Sequence, residues 1–423
     1  MCISAKTSAT ALLHESGADR VVITTGEARD AIRAALPAFE PESISGNACT
    51  GRVLRQSVVA ERDQPPFDRV MMDGIAIAFS DYEQGARSYP VQATQAAGDV
   101  QLSLGQGKCI EIMTGASLPK GADCIVPVER IAVVDGVATL EDNYEVLQRR
   151  FIHARGSDHE EGAELLSIGK RITPMDIAII NSAGLTGIEV SRLPKIQVIS
   201  TGNELVPAGE AIKPHQIRMS NGPAVIAMLE QHGYSNNEHD HLVDEPDLLR
   251  EKIGEHLDTA DILILSGGVS MGKADFVPEV LKELGVEVVF HKISQRPGKP
   301  MWFGVGPAKQ VVFALPGNPV STLVCCRQYV IPALARASAE KDPQPEFAAL
   351  AQDVTFRPNL TCFLPVRLIS STGGQVLAMP VQTNTSGDFA SLSGTDGYVE
   401  LPISESRFPA GTPVQLHRWQ VTT

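Results

Sequence analysis

No stretch of the 423 residues approaches the ~18–20 consecutive apolar residues that a membrane-spanning helix needs. The N-terminus, MCISAKTSATALLHESGADR, holds no compact apolar core followed by a cleavage site, so no secretory leader is expected. Positive charge is in deficit. Lys and Arg number 36 against 50 Asp and Glu, a formal net charge of −14. A duplex-wrapping protein or a polybasic membrane patch shows the opposite balance, so neither nucleic acid nor membrane is an expected partner. A small anion is not excluded, because it responds to a local cluster of charges. Seven cysteines (Cys2, Cys49, Cys109, Cys124, Cys325, Cys326 and Cys362) form an odd set without a C-x-x-C pair. That pattern disfavours a disulfide framework and a zinc finger. Reduced, buried thiols in a cytoplasmic protein are the expectation. Neither G-x-G-x-x-G nor G-x-S-x-G occurs, which removes the dinucleotide fingerprint and the nucleophile elbow. No fixed-period repeat is present.

What the chain does have is the make-up of a soluble globular protein, 43% hydrophobic and 20% charged, long enough for roughly three domains. A helix is expected over Glu27–Leu36, capped by Thr25 and stopped by Pro37 and Pro41. Gly51 to Arg149 reads as short strands, with Asp135-Gly136 as a hairpin turn. TPMDIAIINSAGL has helical spacing ending at Gly184, and Ser191–Lys195 is a linker. From Lys195 to about Ala337 strands alternate with helices, which predicts βαβ units and a parallel sheet. Polar, Pro-rich 339–346 is another linker, and short strands fill the remainder.

In a parallel sheet, ligands gather beyond the carboxyl ends of the strands. Three loops follow such strands. They are Thr201-Gly202-Asn203-Glu204 after IQVIS, Ser266-Gly267-Gly268-Val269-Ser270 after DILIL, and Pro316-Gly317-Asn318-Pro319-Val320-Ser321 after QVVFAL. Glycine lets backbone approach a ligand, and a helix start offers free N–H groups, so together they suggest an anion cradle. Gly267 to Lys273 matches the opening of a phosphate-binding P-loop, but Ala274 stands where Ser or Thr should hold a metal. Glu204 and Asp275 are hard oxygen donors suited to Mg²⁺ beside phosphate. Asp244 is balanced between that role and capping the helix behind Pro246. Lys292, Arg296 and Lys299 put three cations within eight residues, a candidate oxyanion site. His239-Asp-His241 lacks a third metal ligand in sequence and reads as a surface strand.

Taken in order, these segments and others resemble the MoeA family, the molybdopterin molybdenumtransferases, which also includes the gephyrin E domain. The resemblance rests on Gly51–Leu54, Pro65–Asp68, Met72-Asp73-Gly74, Met113-Thr114-Gly115-Ala116, Arg155-Gly156 with Asp158, Ser200–Leu205, Gln216–Asn221 and Ser266–Ser270 with Asp275. Pro297–Pro300 and Leu315–Ser321 add to it, as do, more weakly, Phe363 with Arg367, Ser386-Gly387 and Asp396-Gly397. It implies a multidomain α/β plus β protein. A mixed helical linker domain takes 1–50 and 149–192, and a β-rich inserted domain takes 51–148. A molybdopterin-binding α/β domain with a mainly parallel sheet spans 193–338, and a small C-terminal β domain spans 347–423. It further implies a homodimer whose cleft is shared between subunits, and insertion of molybdenum from molybdate into adenylated molybdopterin with release of AMP. Molybdopterin adenylyltransferase is the implied pathway partner. Catalytic roles then fall to Asp73, Thr114, Glu204, Asp244, Asp275, Lys292, Arg296 and Lys299, with a divalent cation, Mg²⁺ or another, on Glu204 and Asp275. Substrate contacts fall to Gly115, Asp158, Thr201, Gly202, Ser220, Asn221, Ser266, Gly267, Gly268, Ser270, Pro316, Gly317, Asn318, Ser321, Arg367 and Ser386.

The sequence departs from that family's usual pattern. Asn203 and Met219 stand where acids are usual, Arg296 where Lys is usual, Ile75 where Tyr is usual, and Leu360 where Arg is frequent. The two lost carboxylates leave open an alternative, a molybdopterin-binding scaffold on the same fold without efficient turnover.

Overall fold

The computed structural model describes residues 22–268 and 276–420. Cys2, Ser270, Lys273, Ala274 and Asp275 therefore lie outside the described residues. The first helix, α1 (Thr25–Ala35), starts two residues earlier than expected, and Thr24 rather than Thr25 caps it. Thr24 Oγ1 accepts from Glu27 N at 3.2 Å while Thr24 N donates to the Glu27 carboxylate at 2.7 Å. This reciprocal box needs an acid three residues beyond the cap, and only Thr24 has one. Ala28 and Ile32 turn inward beside Phe39.

A six-stranded sheet follows, made of β1 (Gly74–Ile77), β2 (Ser88–Gln95), β3 (Cys109–Ile112), β4 (Cys124–Pro127), β5 (Ile131–Val134) and β6 (Val137–Leu140). Its order is β4-β1-β3-β2-β6-β5. Asp135 and Gly136 form the β5–β6 turn with φ of 50° and 75°, the mirror-image geometry that suits strand twist. Helix α2 (Pro174–Ser182) begins at Thr173, whose N–H and hydroxyl both donate to Asp176 at 2.8 and 2.7 Å.

The α/β region is built from β7 (Ile196–Thr201), α3 (Asn221–Gln231), β8 (Asn237–Leu242), α4 (Pro246–Thr259), β9 (Ile262–Ser266), α5 (Val277–Glu283), β10 (Glu287–His291), β11 (Gln295–Arg296), β12 (Trp302–Val305) and β13 (Val311–Leu315). The sheet order is β8-β7-β9-β13-β12-β10. Apolar side chains cover both faces: Val198, Ile264 and Phe313 on one, and Ile199, Leu263 and Val312 on the other. That is why these strands read as continuous hydrophobic runs. The sequence reading passed over β12, whose pattern is interrupted by Gly304. β12 runs antiparallel to both neighbours, which returns β10 to the direction of β13. The carboxyl ends of β7, β8, β9, β13 and β10 therefore share one edge.

The expected helix after Pro319 is two helices, α6 (Pro319–Cys325) and α7 (Ile331–Ala337), joined by a π turn at Cys326–Val330. Pro332 cannot donate to the carbonyl four residues back, and the wider turn ahead of it absorbs the misfit. Strands β14 (Glu346–Leu350), β15 (Thr361–Ser370), β16 (Val376–Pro380), β17 (Gly397–Leu401) and β18 (Pro413–Arg418) close into a barrel, since β17 pairs with both β18 and β15. Strand β11 adds to this barrel along β15, which ties the barrel to the α/β region. The six described cysteines are buried and unpaired, as expected.

Candidate active site

The carboxyl edge of the sheet collects the three glycine loops. Asn221, the first residue of α3, reaches across it. Its Nδ2 donates to Ser266 Oγ at 2.9 Å and to the Gly317 carbonyl at 2.8 Å. Gly267 and Gly268 follow β9 with φ of 100° and 63°. A Cβ on Gly267 would lie 2.6 Å from the Thr201 carbonyl, and one on Gly317 would lie 3.5 Å from the Gly267 Cα. At Gly267 backbone packs on backbone and only glycine leaves the room, whereas the contact at Gly317 is an ordinary one. Thr201 Oγ1, beside Gly267 and Gly268, is buried with no hydrogen-bond partner among the described residues. A deeply placed polar atom without a partner in the free protein is an open acceptor or donor for a ligand.

Carboxylates border the first loop. Asn203 Oδ1 accepts from Asp244 N at 3.0 Å, and Asn203 N faces Asp244 Oδ2 at 3.4 Å. Asp244 does not cap α4: Glu245 occupies the cap position and makes no side-chain cap bond. The Glu204 carboxylate folds back over Gly202, 2.6 Å from where a Cβ would stand, and makes no hydrogen bond or ion pair among the described residues. Among the described residues no cluster of three His, Cys, Asp or Glu could hold a metal. The surface strand expected at His239-Asp-His241 is edge strand β8, and both of its His rings are half-buried. Edge strand β8 turns their rings inward, His239 Nε2 to Ser200 Oγ at 3.0 Å and His241 Nε2 to the Gly202 carbonyl at 3.0 Å. Burial pushes the His239 pKa below its ordinary value, which favours the neutral ring. Alternation in HDH was the available signal, but the partner on each side depends on strand order.

The cations lie in the β10–β12 loop, at the same edge. Lys292 has φ of 99° and its N–H donates to the Met301 carbonyl at 2.9 Å. Arg296 and Lys299 are exposed, and none of the three side chains makes an ion pair among the described residues. The third glycine loop is overlaid by the barrel. Ser386 Oγ accepts from Asn318 Nδ2 at 2.8 Å, and the Ser386 carbonyl accepts from Val320 N at 3.0 Å. The Pro316 carbonyl accepts from the Thr322 hydroxyl at 2.5 Å, and Ser321 is buried in α6. Ser220 precedes α3 without a side-chain cap bond. Arg367 is turned to the Gly394 carbonyl at 3.2 Å.

A second constellation sits on the β-rich sheet. The Thr114 N–H and hydroxyl both donate to Asp73 Oδ1 at 2.6 Å. These bonds, hydroxyl first, hold the Asp73 carboxyl below its ordinary range. Gly115 supplies the turn, with φ of 87°. Beside Asp73 lies a hollow of about 290 Å³ walled by Ile75, Glu111, Met113 and Val128. Asp158 pairs instead with His153 at 3.0 Å. Among the described residues no hydrogen bond or ion pair joins Asp73 or Thr114 to the glycine loops.

Sequence and fold comparisons agree on what carries these two constellations. Residues 23–184 match a family model described as MoeA N-terminal region (domain I and II), 197–336 match one described as probable molybdopterin binding domain, and 348–419 match MoeA C-terminal region (domain IV). A molybdopterin molybdenumtransferase of Synechocystis sp. is 38% identical over 404 residues, 94% of this chain and 100% of that protein. The chain belongs to the MoeA family. A Bacillus subtilis member with the same name is 30% identical over 380 residues, 86% of each chain. The crystal structure of a molybdopterin biosynthesis MoeA protein from Pyrococcus horikosii superposes with a TM-score of 0.78 at 29% identity, covering 95% of this chain and 100% of that one.

Within the MoeA frame two of the unusual residues, Asn203 and Ile75, have local explanations. Asn203 keeps a reciprocal pair with Asp244, in which an uncharged amide avoids a second negative charge beside that carboxylate. Ile75 is 1% exposed and packs in the β-rich core, a place that asks for an apolar side chain. Met219 is half-buried, held through its N–H on the Val206 carbonyl at 3.0 Å. Nothing in the structure explains Leu360.

Proposed function

We infer that this protein is a molybdopterin molybdenumtransferase, inserting molybdenum from molybdate into adenylated molybdopterin and releasing AMP. The observation that carries the reading is the tying of two glycine loops by Asn221 at the edge that also bears the cation loop. The named activity of the Synechocystis sp. and Bacillus subtilis relatives supports it. In this reading Thr201, Gly202, Ser220, Asn221, Ser266, Gly267, Gly268 and Ser270 take the pterin and phosphates from one side. Pro316, Gly317, Asn318 and Ser321 take them from the other, with Ser386 and Arg367 at the barrel end. Lys292, Arg296 and Lys299 hold the phosphates or molybdate as fixed charges.

The donor set suits Mg²⁺, which takes one or two carboxylates and completes its shell with water and phosphate oxygens. Glu204 and Asp275, with Asp244 nearby, would hold it, and bound there it would polarise the pyrophosphate so that AMP leaves more readily. Asp73, Thr114, Gly115 and Asp158 are assigned to a cleft completed by a second copy, in a cytoplasmic homodimer fed by molybdopterin adenylyltransferase. The domain limits 1–50 with 149–192, 51–148, 193–338 and 347–423 belong to the same proposal.

The direct test is molybdate-dependent AMP release from adenylated molybdopterin by the purified protein. Glu204→Ala and Asp275→Ala are each expected to lower it at least a hundredfold. Full activity in both variants would remove the metal assignment, and absence of release by the unmodified protein would overturn the activity.

A further inference from the structure

The loop that presents Arg296 and Lys299 is anchored by a side chain facing the other way. In β11, Arg296 is exposed while Gln295 is 0% exposed, the two sides of one pleat. Gln295 Nε2 donates to the Pro297 carbonyl at 3.0 Å and to Cys325 Sγ at 3.4 Å. Its Oε1 accepts from the Tyr329 hydroxyl. Tyr329 is 2% exposed and lies in the π turn, as does Gln328, whose Oε1 accepts from the barrel's Tyr398 hydroxyl at 2.7 Å. Polar groups this deep are costly unless paired, and here each finds a partner. Gly298, with φ of 91°, closes the arrangement. A Cβ there would overlap Cys325 Sγ and approach Gln295 Nε2 to 2.7 Å.

We propose that Gln295 and Tyr329 are positioning residues for the substrate: buried and out of its reach, they fix Pro297–Lys299 so that Arg296 and Lys299 meet an anionic ligand already ordered. Ordering the loop in the free protein removes that cost from binding. The inference rests on the reading that this loop binds adenylated molybdopterin.

The test is a cycle of affinities for adenylated molybdopterin, measured by titration calorimetry on the full chain. Tyr329→Phe leaves Gln295 Oε1 unpaired while the Nε2 bond to Pro297 remains; the amide, held on one side only, no longer fixes the loop, so binding should weaken about tenfold. In an Arg296→Ala/Lys299→Ala background the same change should have no effect, since the anchored segment 296–299 then has no charge to present. An equal loss in both backgrounds would make the pair merely structural, and no loss in the unmodified background would overturn the inference outright. Gln295→Leu/Tyr329→Phe replaces both partners by apolar groups. It should keep the melting temperature close to that of the unmodified protein while losing the same affinity; unchanged affinity there also overturns it. If Arg296→Ala/Lys299→Ala itself binds normally, the reading of the site has failed, independently of the anchor.

Discussion

Asn221 concentrates much of the site in one amide. It ties the end of β9 to the loop after β13, and both bonds come from the same Nδ2. Asn221→Ala should cost about 2 kcal/mol in urea unfolding, about 1 per lost bond, and should weaken substrate affinity as the loops part. A loss of stability with wild-type affinity would assign Asn221 to the fold alone. His232 carries a pH dependence. Burial lowers its pKa from 6.5 to about 4, its Nδ1 meets the Met228 carbonyl at 2.9 Å, and its Nε2 is buried without a partner among the described residues. Below pH 6.5 the unfolded chain takes up a proton that the folded chain refuses until about 4. Its contribution is therefore complete above pH 6.5 and falls as pH drops, by roughly 2 kcal/mol at pH 5. Urea unfolding at pH 7 and 5 checks this, and His232→Gln should flatten the difference. The glycine and acid motifs at these positions were visible in sequence. The inward turn of His239 and His241 was not, because strand β8 gains its neighbour only from the sheet order.

At the scale of elements, the loops are held open by what glycine lacks. Gly267→Ala would drive a Cβ to 2.6 Å from the Thr201 carbonyl, a backbone atom that cannot turn aside. It should lower the melting temperature and AMP release together, and assay of the purified variant measures both. Short apolar runs marked most strands, and Thr-x-x-Glu marks the start of α1 once the box is counted from Thr24. Strand β12 and the π turn escaped the reading for a shared reason. Gly304 breaks the first pattern and the apolar spacing of the second runs on through Pro332 as one helix, whereas pairing with β10 and β13 holds β12 and bonds to Gln295 and to the barrel's Tyr398 hold the π turn.

At the scale of the molecule, the glycine loops and the cation loop share an edge but not a strand. From β7 to β10 there are four steps in the sheet, roughly 19 Å at ordinary strand spacing. That span suits an elongated ligand with charge at one end and does not suit a single small oxyanion. The Asp73–Thr114 pair lies on another sheet, and in the proposed shared cleft a second copy supplies it. Asp73→Ala and Lys299→Ala should each be inactive alone. Mixed and allowed to exchange subunits, they should recover up to about a quarter of wild-type AMP release, because a statistical half of the dimers would then carry one intact cleft. No recovery in a mixture shown to exchange would place each cleft within one chain.

The sequence alone determined the classes of structure and of ligand. Its apolar periodicities dictate strands and helices, its acidic balance argues against a polyanion surface, and its glycine turns after buried strands mark where backbone can meet an anion. Only the tertiary structure decided which loops meet, that β10 comes back parallel, that Asp244 answers Asn203 and does not cap a helix, and that Gln295 faces inward from a loop of cations. Those outcomes depend on pairings across tens to hundreds of residues. Local propensity carries no information about such contacts, because their energy exists only once the sheet has closed.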